Sequence, residues 1–378
     1  DAAAAQFADG LTMEIMTEFV KLPGLFLASD FSTLRYRREK PSPQAVAREL
    51  GVRYLLDGTV ARSGERLRVH VQLVDAMSGA RMWAQRYESA QQDAFEIQDS
   101  ITDSIITALD VKLVSGKRSH VTRRSLRDRE ALHHYYNGWS HLIAGTRDDL
   151  VLAQREFVTA AELEPNSPLP LAMASWTYWW QGFRVLEADA EAAFERAEHF
   201  ARRAQALQDP NGFASLVMAH IHLLRREHDQ ALVTAMHALD LRPSCDVSAA
   251  AVANVLNYAD RSEEAIRYAE RAIRLTPIAP TIYPAILASC YYGAGRHEQA
   301  IAAAHAIIEL NPDALDAWLV LAAAESAMGN EGAARAAAGE LLRIKPDLRL
   351  DAYLETQPYA REERLRELGE RLRRAGLR

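Results

Sequence analysis

The stretch that decides the fold is ASCYYGAGRHEQAIAAAHAIIELNP, which occupies residues 288–312. Two largely apolar segments are separated by the turn signal Gly293-Ala-Gly295, and a proline follows the second segment at Pro312. Ala288 in the first segment and Ala300 in the second are small residues, which let two antiparallel helices approach closely. The stretch therefore predicts one helical hairpin.

The same pattern recurs along the chain with a period of about 34 residues, which indicates an array of stacked hairpins. The small residues that open the pattern in the second helices are Ala153, Ala197, Ala231, Ala265, Ala300 and Ala334. Their small partners in the first helices are Ala219, Ala253, Ala288 and Ala322. We expect about six hairpins over residues 131–378, ended by an amphipathic capping helix that contains Leu365, Leu368 and Leu372.

The first two repeats depart from this pattern. His141 and Val185 stand where the first helix has alanine in the later repeats. The longer step from Ala153 to Ala197 indicates an insertion or a loosened loop around residues 184–193.

Residues 1–115 have a different rhythm, in which helical and strand patterns alternate. The predicted elements are a helix from Asp9-Gly10 to Leu22, a strand at Leu25–Ala28, a helix at Pro43–Leu50, three strands within residues 52–87 and a helix near residues 94–113. This order predicts a small α/β layer domain. The whole chain is thus expected to be α+β and mostly α, with this domain preceding an α-solenoid.

A basic stretch, residues 116–130, joins the two parts and is poor in apolar residues. We interpret it as a solvated linker, with contact to nucleic acid as the alternative. No aromatic side chains that could stack on bases are interleaved with the basic residues. The net charge of −7 also disfavours non-specific binding to nucleic acid or to an anionic membrane.

The sequence contains no recognisable catalytic or cofactor motif. Dinucleotide-binding, P-loop, nucleophile-elbow and zinc-helix signatures are missing, and no apolar run is long enough to cross a membrane. Cys245 and Cys290 are far apart and are expected to be buried apolar residues. His133, His134 and His141 lack a carboxylate at metal-ligand spacing. We therefore predict no enzyme activity, cofactor or metal for this chain.

Several motifs resemble a known two-part arrangement. They are Phe7-Ala-Asp-Gly-Leu11, Ala47-Arg-Glu-Leu-Gly-Val-Arg-Tyr54, Asp57-Gly-Thr-Val60, Val71-Gln-Leu-Val-Asp75, Trp83 with Arg86-Tyr87, Glu309-Leu-Asn-Pro312 and Trp318. Together they resemble a TolB amino-terminal-like domain followed by tetratricopeptide repeats. This arrangement is found downstream of the catalytic domain in bacterial class III adenylate cyclases, and also in CadC-like membrane-bound regulators.

The resemblance implies a regulatory role rather than catalysis by this chain. It implies a non-catalytic protein-interaction module of a bacterial signalling protein, expected to be the C-terminal part of a class III adenylate or guanylate cyclase. It also implies that a first strand normally precedes Phe7, and we expect that strand to be missing here. The expected location is the cytoplasm, or the periplasm if a membrane span precedes residue 1. The oligomeric state is left open.

The candidate binding residues lie on the first helices of the hairpins, which form the inner wall of such repeats. Counting from the packing alanines gives His220, Leu223, Asn254, Asn257, Ser289, Tyr292 and Ser326 as a peptide-binding groove. Asn254 and Asn257 are of particular interest because a carboxamide can pair with both the N–H and the C=O of an extended peptide. The expected partner is a protein or peptide, with no nucleic acid and no membrane insertion.

The alternative function is a small-molecule sensor in a membrane-bound transcriptional regulator. Its ligand would bind either in the α/β domain or near the aromatic group of the second repeat. That group is Trp176, Trp179, Trp180 and Phe183, whose helical spacing is also typical of a core stripe.

Overall fold

The computed structural model describes residues 2–22, 25–37, 41–63, 66–90, 100, 101, 104, 126, 128–144, 146–184, 190–278 and 281–378. The chain divides into two compact units. The first unit comprises Asp1–Met218 with Asp240–Ser244, and the second comprises Ala219–Leu239 with Cys245–Arg378. Nearly all of the predicted helix at 94–113 and most of the linker at 116–130 lie outside the described residues.

The amino-terminal part of the first unit combines helices with one sheet. Its elements are α1 (Ala2–Phe19), α2 (Asp30–Thr33), a 3-10 turn (Leu34–Arg37), α3 (Pro43–Leu50), β1 (Tyr54–Ser63), β2 (Arg66–Asp75) and β3 (Ala80–Ala90). The capping of α3 is what its sequence predicts: the Ser42 hydroxyl accepts from the Ala45 N–H at 3.3 Å, and Gly51 ends the helix in the left-handed conformation.

The three strands pair antiparallel in the order β1-β2-β3. Val69, Val71 and Leu73 alternate with polar residues along β2 and are buried, so one face of the sheet is apolar. The Asp75 carboxylate ends β2 by accepting from the Met77 N–H at 2.9 Å. This bond fixes the turn into β3.

Two local predictions for this part are wrong. Asp9-Gly10 was expected to begin the first helix, but α1 begins at Ala2 and runs through both residues. Residues 25–28 are not in a strand, although their backbone carries no helical structure either. The apolar character of this stretch is used in packing, since Leu22 and Ala28 are buried.

Gly10 has a packing role in the middle of α1. A Cβ built on Gly10 would lie 2.3 Å from Cδ1 of Tyr136, a residue of the first repeat helix, α4 (Arg129–Ala144). Phe7 contacts the same Tyr136 ring edge to face at 5.3 Å, and Ser140 donates to the Asp9 carboxylate at 2.9 Å. The Phe-Ala-Asp-Gly motif is therefore the surface by which α1 packs on α4.

The remaining described residues lie mainly in helices. The helices are α4, α5 (Arg147–Leu163), α6 (Pro168–Arg184), α7 (Ala190–Ala206), α8 (Phe213–Leu224), α9 (His228–Leu241), α10 (Asp246–Tyr258), α11 (Ser262–Leu275), α12 (Ile282–Gly293), α13 (His297–Leu310), α14 (Leu315–Ala327), α15 (Glu331–Ile344), α16 (Leu350–Thr356) and α17 (Glu362–Arg374). Each predicted hairpin is a pair of consecutive helices within α4–α15.

The paired small residues are buried as the periodicity predicts. In the second helices Ala153, Ala197, Ala231, Ala265, Ala300 and Ala334 are at most 1% exposed. In the first helices Ala219, Ala253, Ala288 and Ala322 are all 0% exposed. Close helix contact in the last four hairpins therefore depends on side chains no larger than a methyl group.

In the first two hairpins the first helix carries a glycine where the second helix carries a large aromatic ring. A Cβ on Gly138 of α4 would lie 2.7 Å from the ring of Phe157 on α5. Gly182 of α6 stands in the same relation to Phe194 on α7, also at 2.7 Å. A large ring in the second helix is thus accommodated by a glycine in the first.

The end of the second unit is closed as predicted. Leu368 and Leu372 of α17 are buried in an apolar cluster with residues of α14 and α15, and Leu365 packs against the same cluster. The Leu350 N–H donates to the Arg378 main-chain oxygen at 2.8 Å, which joins the start of α16 to the last residue. The expected fold class is confirmed: the chain is mostly helical, with a small antiparallel sheet and a helical-repeat solenoid.

Candidate peptide-binding surface

The first helices of the second unit form one continuous wall. α10 contacts α12, and α12 contacts α14, whereas the corresponding second helices approach one another less closely. A stack in which the first helices are closer together curves toward them. We call the wall formed by α10, α12, α14 and the end of α8 the inner face.

The predicted groove residues divide into two groups on this face. His220, Asn254, Ser289 and Tyr292 are half-buried. Leu223, Asn257 and Ser326 are buried, at 3%, 3% and 7% exposure. The half-buried group keeps part of its surface in solvent, whereas Leu223 packs in the apolar cluster of α8–α12.

Asn257 is held by its own neighbours. Its Nδ2 donates to the Ser289 hydroxyl at 3.0 Å, and its Oδ1 accepts from the Ser262 hydroxyl at 2.8 Å. Gly293 lies so close that a Cβ there would be 2.7 Å from Oδ1. The Asn257 carboxamide thus links α10 to both α11 and α12.

A segment of the chain itself lies along the edge of the inner face, at the carboxyl ends of the first helices. We call residues 355–360, the last two residues of α16 and the stretch that leads to α17, the crossing segment. Gln357 has an extended backbone (φ −80, ψ 119). Its main-chain oxygen accepts from Nη2 of Arg226 at 3.3 Å, and that of Glu355 from the same atom at 3.4 Å. His228 donates through Nε2 to the Pro358 main-chain oxygen at 2.8 Å.

Tyr258, the last residue of α10, makes three contacts to the crossing segment. Its hydroxyl donates to Oε1 of Gln357 at 3.0 Å, and its main-chain oxygen accepts from the Ala360 N–H at 2.9 Å. Its ring meets the Tyr359 ring edge to face at 4.9 Å. Tyr359 also packs against the apolar cluster of α12–α17, as does Tyr292 near the end of α12.

Ion pairs hold the carboxyl-terminal side of the segment. Asp260, in the turn after α10, pairs with Arg361 and with Nε of Arg364, the latter at 2.9 Å. Arg364 also donates to the main-chain oxygen of Gly293 at the end of α12. The crossing segment is therefore held at the carboxyl ends of three successive first helices, or in the turns that follow them.

Sequence reasoning did not find Arg226, His228, Tyr258 and Asp260. Two of them carry a signal that could have been used: Arg226 and Asp260 have positive φ (61 and 62), so each is the turn residue that ends a first helix. Side chains in these turns lie beside the ends of the first helices rather than in the middle of the inner face. The contacts with residues 355–360 depend on tertiary structure that no local pattern encodes.

The histidines and cysteines singled out in the sequence lie in separate surroundings. They contain no group of three or more His, Cys, Asp or Glu placed to hold a metal ion. His134 Nδ1 lies 2.6 Å from the Glu156 carboxylate and His141 Nδ1 lies 3.3 Å from that of Asp149, so the two histidines have separate partners. Cys245 and Cys290 are both buried, and burial raises the pKa of the Cys290 thiol.

None of the helices in the described ranges is both long enough and apolar enough to cross a bilayer.

The first unit contains an apolar pocket of about 600 Å³. One wall is α1, with Leu11, Ile15 and Phe19, and the opposite wall includes Leu55 of β1 and Val71 of β2. This pocket lies in the α/β domain, which is one of the two places where the sensor hypothesis locates a ligand.

The tryptophan group of α6 is mostly core. Trp176 and Trp179 are 7% and 6% exposed and stack at 5.4 Å. Phe183, which stacks on Trp179 at 5.2 Å, is 46% exposed, so the group reaches the surface at one end.

Comparison with models of protein families gives no match. Over 131 residues the chain is 40% identical to a protein of Rhizobium meliloti (strain 1021) named "Putative adenylate cyclase 3". The match covers 35% of this chain and 22% of that protein, so the chain spans less than two thirds of its relative's length.

Solved structures resemble the fold. The human IFIT1 dimer with m7Gppp-AAAA has a TM-score of 0.52 at 14% identity, over 99% of this chain and 82% of that chain. YrrB, described as a TPR protein with an unusual peptide-binding site, has a TM-score of 0.36 at 19% identity, over 50% of this chain and 93% of that chain. The helical part of the present chain has a tetratricopeptide-like repeat fold.

Proposed function

We propose that this chain is a non-catalytic protein-interaction and regulatory module of a bacterial signalling protein, and that it binds an extended polypeptide along the inner face. The observation that carries the proposal is the way this face already holds residues 355–360. Side chains from the turn after α8 and from the start of α9 bind the main-chain oxygens of Gln357 and Pro358, and such main-chain bonds hold a peptide regardless of much of its sequence. The groove would include His220, Leu223, Asn254, Asn257, Ser289, Tyr292 and Ser326.

We further infer that the chain is the carboxy-terminal part of a class III adenylate or guanylate cyclase. The 131-residue match to a protein named as an adenylate cyclase supports this assignment, as do the motifs that resemble a TolB amino-terminal-like domain before the repeats. The cyclase reaction itself is assigned to another part of such a protein. The chain alone is accordingly expected to convert neither ATP to cyclic AMP nor GTP to cyclic GMP.

Binding is tested by selecting peptides from a displayed random library on the immobilised chain and measuring their Kd by fluorescence anisotropy. The diagnostic variant is Asn254→Ala, because Asn254 is half-buried on the inner face. Its carboxamide is expected to contribute hydrogen bonds to the peptide backbone, so its loss should weaken binding about tenfold.

Val233→Ala is the matched control. Val233 lies on a second helix, α9, and is 70% exposed, so its truncation should leave the Kd unchanged. Equal effects of both variants, or selected peptides that bind no more tightly than unselected ones, would count against the inner face as the binding site.

The second candidate function is a small-molecule sensor, favoured by the pocket of about 600 Å³ between α1 and the sheet. Pockets of this size, lined mainly by apolar side chains, are suited to a small apolar ligand. A thermal-shift screen of small apolar compounds tests it, since a ligand specific to the folded state raises the unfolding temperature. Ile15→Trp, which fills the pocket, should abolish the shift. A shift that persists in this variant would place the ligand elsewhere.

A further inference from the structure

The crossing segment has the features of a bound peptide rather than of a simple connection between helices. Its main-chain oxygens at 355, 357 and 358 and its N–H at 360 are all bonded to groups of the inner face or the adjacent turns. These partners belong to elements more than ninety positions earlier in the chain, so the bonds do not continue α16 or start α17.

Two side chains of the segment are also recognised. The Gln357 carboxamide accepts from the Tyr258 hydroxyl, and the Tyr359 ring packs edge to face against the Tyr258 ring. Such an aromatic pair contributes beyond its burial of area. Tyr258 therefore recognises a hydrogen-bond acceptor at Gln357 and an aromatic ring two residues later, at Tyr359.

We propose that residues 355–360 are a built-in ligand of the inner face, and that a partner binds by replacing them with an extended peptide of its own that carries the same acceptor–x–aromatic pattern. The inference rests on the proposed function and specifies its ligand. It assigns Arg226, His228 and Tyr258 as residues that contact the partner peptide. A tethered segment has an effective concentration of the order of millimolar, so it competes strongly with a free peptide.

A partner peptide can replace residues 355–360 without dissociation of α17, the helix that caps the stack. α17 is anchored separately, through Leu368 and Leu372 in the apolar cluster with α14 and α15. α16 is short, at seven residues, and its buried residues are Leu350 and Leu354. Residues 355–360 can thus leave the face while Leu350, Leu354 and α17 keep their places in that cluster.

The test uses the full chain and a fluorescent synthetic peptide, YLETQPYARE, which copies residues 353–362. The double variant Gln357→Ala/Tyr359→Ala removes both recognised side chains from the built-in segment. The peptide should bind this variant at least tenfold more tightly than it binds the unmodified chain, because its competitor is weakened. A control peptide that carries the same two alanines should bind neither protein.

The contact residue is checked in the same background. Adding Tyr258→Phe removes the hydroxyl that donates to Gln357 and should weaken peptide binding about fivefold, the effect of one hydrogen bond. Adding Tyr268→Phe instead alters a half-buried tyrosine of the second helix α11 and should have no effect.

Hydrogen exchange on the unmodified chain keeps the proposal testable if the double variant folds poorly. Millimolar peptide should accelerate exchange of the Ala360 amide, which is bonded to Tyr258 in the closed form. Unchanged exchange, or equal peptide affinity for the unmodified chain and the double variant, would overturn the proposal. Should library peptides still bind the inner face in that case, the proposed function stands and only the built-in ligand is refuted.

Discussion

Tyr135 donates a hydrogen bond of 2.7 Å to Glu14, and both side chains are buried where α1 packs on α4. Burial raises the pKa of the Glu14 carboxyl to about 7, against the lowering effect of the Tyr135 bond, and nearby Glu18 raises it further while Lys21 lowers it. A carboxyl group with this pKa is protonated in the folded chain at mildly acidic pH but ionised when the chain unfolds. The contact between α1 and the repeats is therefore linked to pH.

The first prediction concerns this linkage. Because the folded state binds the Glu14 proton more tightly, the stability from this group is complete below about pH 4.5 and is lost as the pH rises through about 7. Glu14→Gln keeps an acceptor for Tyr135 but cannot ionise. It should match the unmodified chain at pH 4 and be more stable at pH 8, by up to about 3 kcal/mol. Urea unfolding at a series of pH values measures the difference.

The control for this series is Glu162→Gln, which changes an exposed carboxylate near the end of α5. Its stability relative to the unmodified chain should not vary over the same pH range. If Glu14→Gln behaved like this control, Glu14 would have an ordinary pKa in the folded chain.

The second prediction tests the close approach of α1 and α4. Gly10→Ala places a Cβ within 2.3 Å of the Tyr136 ring, so the helices must separate, and the unfolding free energy should fall by about 1–3 kcal/mol. Gly339→Ala is the matched control, because Gly339 lies inside α15 with nothing within 4 Å of an added Cβ. That change should stabilise the chain by about 0.5–1 kcal/mol. If Gly339→Ala were destabilised as well, the cause would be the loss of a glycine in general rather than a close contact at Gly10.

The helical repeats could be predicted from sequence because their determinant is local and steric. A small residue in each helix of a hairpin is visible as a spacing, and Ala253 and Ala265 are buried as that spacing requires. Gly10 was misread as a helix start because glycine ordinarily weakens a helix interior, and only the position of Tyr136 on another element explains it. For the same reason, the proposed binding surface follows from the sequence only in part. Asn254 follows from helix geometry, whereas the contacts of residues 355–360 depend on where the chain end folds back.

The third prediction concerns the contact between Gly138 and the Phe157 ring in the first hairpin. Gly138→Ala should cost about 2 kcal/mol, because its Cβ would meet the Phe157 ring at 2.7 Å. Phe157→Ala should cost about 3–5 kcal/mol, since this fully buried ring also contacts Tyr135 and Trp139.

Together the two substitutions remove the clash, because the Cβ added at position 138 no longer meets a ring. The double variant should therefore be less destabilised than the sum of the single variants, by about 1–2 kcal/mol. A double-mutant cycle in urea measures this coupling. Strict additivity would mean that Gly138 is small for some reason other than the Phe157 ring.

The last prediction separates binding from stability on the inner face. Asn257→Ala leaves the hydroxyls of Ser262 and Ser289 without their shared partner, so it should destabilise the second unit by about 1–3 kcal/mol. Asn254→Ala changes a half-buried side chain and should alter stability by less than about 0.5 kcal/mol. Thermal unfolding of both variants without peptide checks this order. If Asn254→Ala proved the more destabilising, its effect on peptide affinity could not be assigned to a lost contact.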